Sequence, residues 1–244
     1  MSKEEVRKSF KAENQALLFA WIAKSAIEKM GKAQAEPVLK KAVIRYGEQR
    51  GKRMALRAAA NRHPLDMLGY LSYGEWKAGK GEMQMIIIKQ PPDLCVKAPK
   101  CSWYTAWSNA GLNEFGKYYC QSIDVAVMHG YNPALRLDVM DIKPEGKPEC
   151  IMLFHDARLG PAEMLALMGR KMFKPGRKAV MPWDYHTGHI YKTMKEVLTQ
   201  ELGAAGNEII KLAMAEFSKR YGAEAAQIVE EFDGVDFDTL PAGK

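Results

Sequence analysis

No apolar run in this chain is long enough to cross a bilayer, which excludes a spanning helix. The N-terminal stretch Met1-Ser2-Lys3-Glu4-Glu5-Val6-Arg7-Lys8 has no apolar signal core, so a cytoplasmic protein is expected, with no membrane partner. Cysteine is scarce. The 244 residues hold four (Cys95, Cys101, Cys120 and Cys150), expected as reduced thiols in that compartment. No CxxC pair occurs, which removes the common zinc-finger and thioredoxin signatures. A net charge of +7 raises the question of nucleic acid, but no helix-turn-helix, zinc finger or RNP-like motif accompanies it. The basic residues are dispersed over Lys40-Lys41, Arg50 to Arg53, Lys97 to Lys100, Arg170-Lys171 and Lys174 to Lys178. Solvated lysines and arginines with a bias toward anionic small molecules are expected instead.

The hydrophobic fraction of 47% is enough for a real core in one domain spanning 1–244. Residues 3–31 carry a broad apolar stripe at helical spacing, closed by Gly31. A second helix is expected from about Ala35 to about Ala60, with Pro37 in its first turn. These N-terminal helices give way at 65–156 to a sheet and site region. Met83 to Gln90 is the clearest strand, and Tyr70 to Trp76 is expected to pair with it as a hairpin. Residues 103–129 read as helix, broken near Gly111 or Gly116. Leu135 to Ile142 alternates apolar and polar, and Glu149 to His155 returns as a strand, giving a hairpin over 135–155. A short helix over Pro161 to Met168 and a C-terminal helical block over 186–232, interrupted at Gly203 and Gly206, complete the chain before a loose polar tail. The fold class is therefore α+β, an antiparallel β-sheet flanked by N- and C-terminal helices. Arg45-Tyr46-Gly47 and Arg220-Tyr221-Gly222 each close an apolar-periodic segment of the same length, which suggests paired helices or an old duplication.

The densest chemistry lies between Cys101 and Cys150, where three of the four cysteines fall. Cys120 and Asp124 are four apart on an expected helix, which would put thiol and carboxylate on one face. Such a pair can be nucleophile and base, a general acid/base couple, or two metal ligands. Each also has a bland reading. A buried free cysteine is usually a small hydrophobe, which fits Cys150 beside Ile151 and Cys95. Asp124, set among Ile123 and Val125-Ala126-Val127, must be paired or perturbed if buried, and a structural bond to the turn at Gly130-Tyr131-Asn132 competes with a catalytic role. The thiols, Asp124 and His155 match no recognised zinc spacing, and His186-x-x-His189 lacks a third ligand, so neither a metal nor another cofactor is expected.

The pattern of Cys101, Leu112-Asn113-Glu114-Phe115-Gly116, Tyr119-Cys120, Asp124, Tyr131-Asn132-Pro133, Leu135-Arg136-Leu137, Gly146 and Cys150 resembles the L-2-amino-thiazoline-4-carboxylic acid hydrolase family. The segments ending at Gly47 and Gly222 look like that family too. The resemblance implies hydrolytic opening of a small cyclic amidine, with water adding at the carbon that bears the exocyclic amine and the ring sulfur leaving. It implies Cys120, Asp124, Cys101 and Cys150 as catalytic candidates, in a pocket between the 101–129 segment and the sheet. Arg136 or Arg158 would meet an anionic substrate's carboxylate, and Tyr131, Asn132 and His155 would line the site. The rival from another class is a non-catalytic small-molecule sensor using the same pocket. Homo-oligomerisation is left open.

Overall fold

The computed structural model describes residues 2–173 and 175–241. In chain order come helices α1 (Lys3–Ser9), α2 (Ala12–Met30), α3 (Lys32–Ala60) and α4 (Met67–Ser72), then strands β1 (Gln84–Lys89) and β2 (Leu94–Lys100). Helices α5 (Ser102–Ala110), α6 (Asn113–Cys120) and α7 (Ile123–Tyr131) precede strands β3 (Leu137–Asp141) and β4 (Cys150–Phe154). Helices α8 (Pro161–Met172), α9 (Gly176–Ala179), α10 (Trp183–Leu202), α11 (Ala204–Tyr221) and α12 (Ala223–Glu230) follow. The fold class is α+β, with helices at both ends of the chain and a four-stranded antiparallel sheet of order β1-β2-β4-β3 between them in sequence.

Contacts divide the chain into two compact units. The first comprises Met1–Tyr46, Cys101–Ser122 and Pro182–Val235, and is entirely helical. Its central element is α2, where Leu17, Leu18, Phe19, Ala20, Ile22 and Ala23 are all fully buried. A helix apolar on every side belongs inside a bundle, and α2 packs against α5, α6, α10 and α11. Its most deeply buried polar group is Gln15. The amide donates to the Tyr46 and Tyr119 hydroxyls and accepts from the Trp103 indole, so its burial is compensated.

The second unit comprises Gly47–Lys100, Ile123–Met181 and Asp236–Lys244. Register fixes the inner face of its sheet. Leu94, Val96 and Ala98 on β2 stand opposite Phe154, Met152 and Cys150 on β4, and Leu137 and Val139 on β3 stand opposite Phe154 and Met152. Met67 of α4 and Met128 of α7 close the core over this face. Helix α7 meets the second half of α3 at very short range. A Cβ built on Gly51 would lie 2.0 Å from the Val127 carbonyl oxygen, and one on Gly130 would lie 2.2 Å from that of Glu48. Both obstacles are backbone, so they cannot swing aside. Gly51→Ala is expected to destabilise the fold by about 3 kcal/mol or more, beyond ordinary overpacking, readable as a fall in urea midpoint. An unchanged midpoint would mean that the two helices can separate at no cost.

Several sequence expectations are corrected. Tyr70 to Trp76 is no strand: the Asp66 carboxylate accepts the Gly69 N–H at 2.7 Å and starts α4 there. The 3–31 helix breaks at Phe10–Lys11, where the backbone is extended and the Asn14 side chain caps a fresh start. Helix α3 begins at Lys32, which leaves Pro37 inside it rather than in its first turn. The 103–129 helix breaks at Gly111, as expected, and again at Gln121–Ser122; Gly116 stays helical because it packs on the Trp107 ring. Gly206 does not interrupt its helix either, since it makes room for the Leu198 carbonyl of α10. The Tyr-Gly echo does not hold as two helix ends. Gly222 caps α11 with φ 91°, whereas Gly47 lies mid-helix in α3 against Ala126. The tail is not loose as far as Asp238: Phe237 is fully buried, and Asp238 accepts from Gln49.

Candidate functional site

The second unit also gathers a buried charged cluster along α3. Arg50, Arg53 and Arg57 repeat along one face of α3 at spacings of three and four, and all three are buried. They turn toward Glu75, which is 0% exposed. Arg53 grips its carboxylate with two parallel bonds of 2.9 and 2.7 Å, Arg57 Nη1 adds one at 2.6 Å, and Arg50 Nε lies 3.8 Å away. Burial pushes the Glu75 carboxyl up, but the guanidiniums win and hold it at about 2. Three cations thus share one carboxylate, and Arg57 Nε and Nη2 have no hydrogen-bond partner among the described residues.

The next acid in reach of Arg50 is Asp124, in the first turn of α7. The tight crossing of α3 and α7 through Gly47, Gly51 and Gly130 brings these two turns together. Asp124 makes no hydrogen bond or ion pair with any described residue, yet its side chain is only partly covered. Burial raises its carboxyl to about 6, with Arg50 pulling the other way. An unpaired, desolvated carboxylate is an unusual thing to leave in a core, and it fits a group kept for a ligand.

Two more side chains feel this charge. Tyr70 on α4 stacks edge-on to Tyr131 at 5.6 Å, and its phenol is raised first by burial and then by Asp124. Cys150 begins β4 on the same inner face as Met152 and Phe154. Its sulfur accepts the Lys143 N–H at 3.4 Å. Burial raises the thiol, and Asp124 raises it further. At neutral pH Cys150 is therefore a neutral thiol and a poor nucleophile.

The other sequence candidates fall elsewhere. Cys120 ends α6 and Asp124 sits in α7, with Gln121–Ser122 between, so the one-helix spacing that suggested the pair does not exist. Cys101 and Cys120 belong to the first unit, Asp124 and Cys150 to the second. Arg158 is largely exposed beside Asp156, and Arg136 is exposed. His155 bonds Asp138 at 2.7 Å on the opposite side of the sheet from Cys150. Tyr131, which packs on Tyr70 beside the cluster, donates to the Pro64 carbonyl, and Asn132 ties the turn to Leu65 and Ala134. His186 and His189 are buried among aromatic rings rather than at the surface. No group of three or more His, Cys, Asp or Glu side chains among the described residues could hold a metal ion. The first unit does carry a groove of about 640 Å³ lined by Tyr191, Lys195, Lys211 and Glu230, but Lys195 is already paired with Asp233 there at 2.6 Å.

Sequence reasoning missed Arg50, Tyr70 and Glu75. Arg50 to Arg53 count there only among dispersed, solvated basic residues, and Glu75 meets them only through the fold.

The model of the L-2-amino-thiazoline-4-carboxylic acid hydrolase family matches residues 10–154, more than half of the chain. The chain belongs to this family. The matched hydrolase segment contains the whole Arg50–Tyr70–Glu75–Asp124–Cys150 cluster and ends before His155, Arg158 and α8. It does not extend to the block ending at Gly222, where the sequence suggested further likeness. No curated protein and no solved structure matches the chain. No helix among the described residues is long and apolar enough to cross a membrane.

Proposed function

We propose that this protein hydrolyses a small cyclic amidine bearing a carboxylate, 2-amino-thiazoline-4-carboxylate or a near analogue, with Asp124 as the group that moves the proton. The observation that carries this reading is the unpartnered Asp124 carboxyl at about 6, within a segment matched by the hydrolase family. A base is most effective when its pKa lies just below the working pH. Asp124 takes a proton from water as the oxygen adds to the amidine carbon. Asp124 passes that proton to the ring nitrogen; as the carbon–sulfur bond then breaks, the hydroxyl of the tetrahedral adduct becomes the carbonyl and its proton goes through Asp124 to the leaving sulfur, giving N-carbamoyl-cysteine. The Tyr70 hydroxyl is kept protonated by burial and can donate to the substrate. The Arg50 charge favours an anionic ligand. No step is assigned to Cys101 or Cys120.

Purified protein incubated with 2-amino-thiazoline-4-carboxylate is expected to yield a product heavier by one water, detected by mass spectrometry. Binding without product would replace the hydrolase reading with the sensor. Cys150→Ser is expected to keep turnover within about tenfold of wild type, because a neutral thiol is not the attacking group. A folded Cys150→Ser variant with no turnover would move the nucleophile from water to that sulfur.

A further inference from the structure

Helix α8 is sorted the wrong way for a helix in water. Leu165, Met168 and Met172 recur at spacings of three and four, so they form one stripe. They are 72%, 56% and 62% exposed, and Phe173 at the helix end is 67% exposed. Ala162 and Ala166 beside them are exposed too. The charged residues Glu163, Arg170 and Lys171 fall away from this stripe, and the inward side is held by Leu167 and Met164. Both sides of the helix are therefore apolar, and one of them faces solvent. A contiguous exposed patch of this kind marks an interaction surface.

Charge identifies what covers it. Residues 164–183 contain five basic residues and no acidic one. Short α9 packs at the C-terminal turn of α8, with the Arg177 N–H bonded to the Phe173 carbonyl at 3.1 Å, and it presents exposed Arg177 and Lys178 beside exposed Lys171. An apolar face bordered by cations fits an anionic lipid surface. A second copy of this chain would bring two such basic borders together with only Glu163 to offset them. We infer that the exposed face of α8 binds anionic membrane surfaces, with Leu165, Met168, Met172 and Phe173 entering the headgroup boundary and Arg177 and Lys178 meeting lipid phosphates. Interfacial binding needs an apolar face rather than a long apolar run, so the lack of a spanning helix does not oppose it. The expectation of no membrane partner rested on that lack and on the missing signal core, neither of which bears on an interfacial face.

Vesicle flotation tests this with the full chain. The protein is expected to float with mixed phosphatidylcholine–phosphatidylglycerol vesicles, not with phosphatidylcholine alone, and to be released by high salt. Arg177→Ser/Lys178→Ser is expected to weaken partitioning by about fivefold per residue removed. Leu165→Ser/Met172→Ser is expected to abolish it. All four side chains are exposed, so unchanged melting temperatures will show that the variants fold. Failure to float with the anionic vesicles, or equal flotation of both double variants, would overturn the inference. So would a dimer in sedimentation that Leu165→Ser/Met172→Ser disperses, in place of lipid binding; the face would then belong to a second copy.

Discussion

Asp124→Asn is expected to lower kcat/KM by about a hundredfold or more while raising stability at neutral pH. The two effects have one origin. The Asp124 carboxylate is stripped of water and makes no hydrogen bond or ion pair among the described residues. Ionising it in the folded protein costs more than ionising it in the unfolded chain. Asparagine has the same shape and no charge, so it removes that cost. The charge is also what accepts a proton from water, so asparagine removes the chemistry. A carboxylate held only by packing forces would show the opposite pattern, with activity following stability. An Asn variant that turns over normally would exclude the base role whatever its melting temperature.

The pH dependence follows with a definite sign. The folded carboxyl sits at about 6, against about 4 in the unfolded chain. The folded state therefore holds its proton more tightly, and this contribution to stability is complete below about pH 4 and is lost as pH rises toward 6. Wild type and Asp124→Asn should melt alike near pH 4. They should diverge above it and differ by on the order of 2 kcal/mol above pH 6, with Asn the more stable. The kcat/KM profile of the wild type should rise through an apparent pKa near 6, and the residual activity of the Asn variant should lack that limb.

How much of this was legible depended on sequence distance. The hairpin of β3 and β4 was visible because alternation and a Pro-Glu-Gly turn are local signals. The α4 segment was misread because Tyr70, Leu71 and Tyr73 also suit a strand, and the Asp66 cap that decides the matter is a single residue. Gly47, Gly116 and Gly206 were read as breakers or ends, although each remains helical beside a neighbour that leaves no room for a Cβ. That is a tertiary fact with no local trace. Asp124 stood out as a carboxylate in an apolar stretch, and that signal is purely compositional. The supposed partner in Cys120 came from assuming an unbroken helix through Gln121–Ser122. Arg50 and Glu75 come together only by folding, and nothing near Glu75 in sequence announces that three arginines converge on it.

Glu75→Gln is expected to be the most destabilising single change in the second unit, on the order of 3–5 kcal/mol, because it removes the shared counter-charge of buried guanidiniums. The side chain keeps its volume, so packing is not the cause. Glu75 is held at about 2 when folded, against 4.5 as its ordinary value, so its contribution is fully present above about pH 4.5 and is lost as pH falls toward 2. The deficit of the Gln variant should accordingly be constant at neutral pH and shrink in acid. The consequence reaches the site through Arg50, which Glu75 and Asp124 both attract. With Glu75 neutral, more of the Arg50 charge acts on Asp124. The acid limb of the kcat/KM profile should then move below 6 in whatever fraction of the variant folds. Denaturant titration and a pH profile on the same preparation read the two effects separately. A Gln variant as stable as wild type would show that the arginines do not depend on this carboxylate, and an unmoved acid limb would break the proposed link between the buried network and the proton-transferring group.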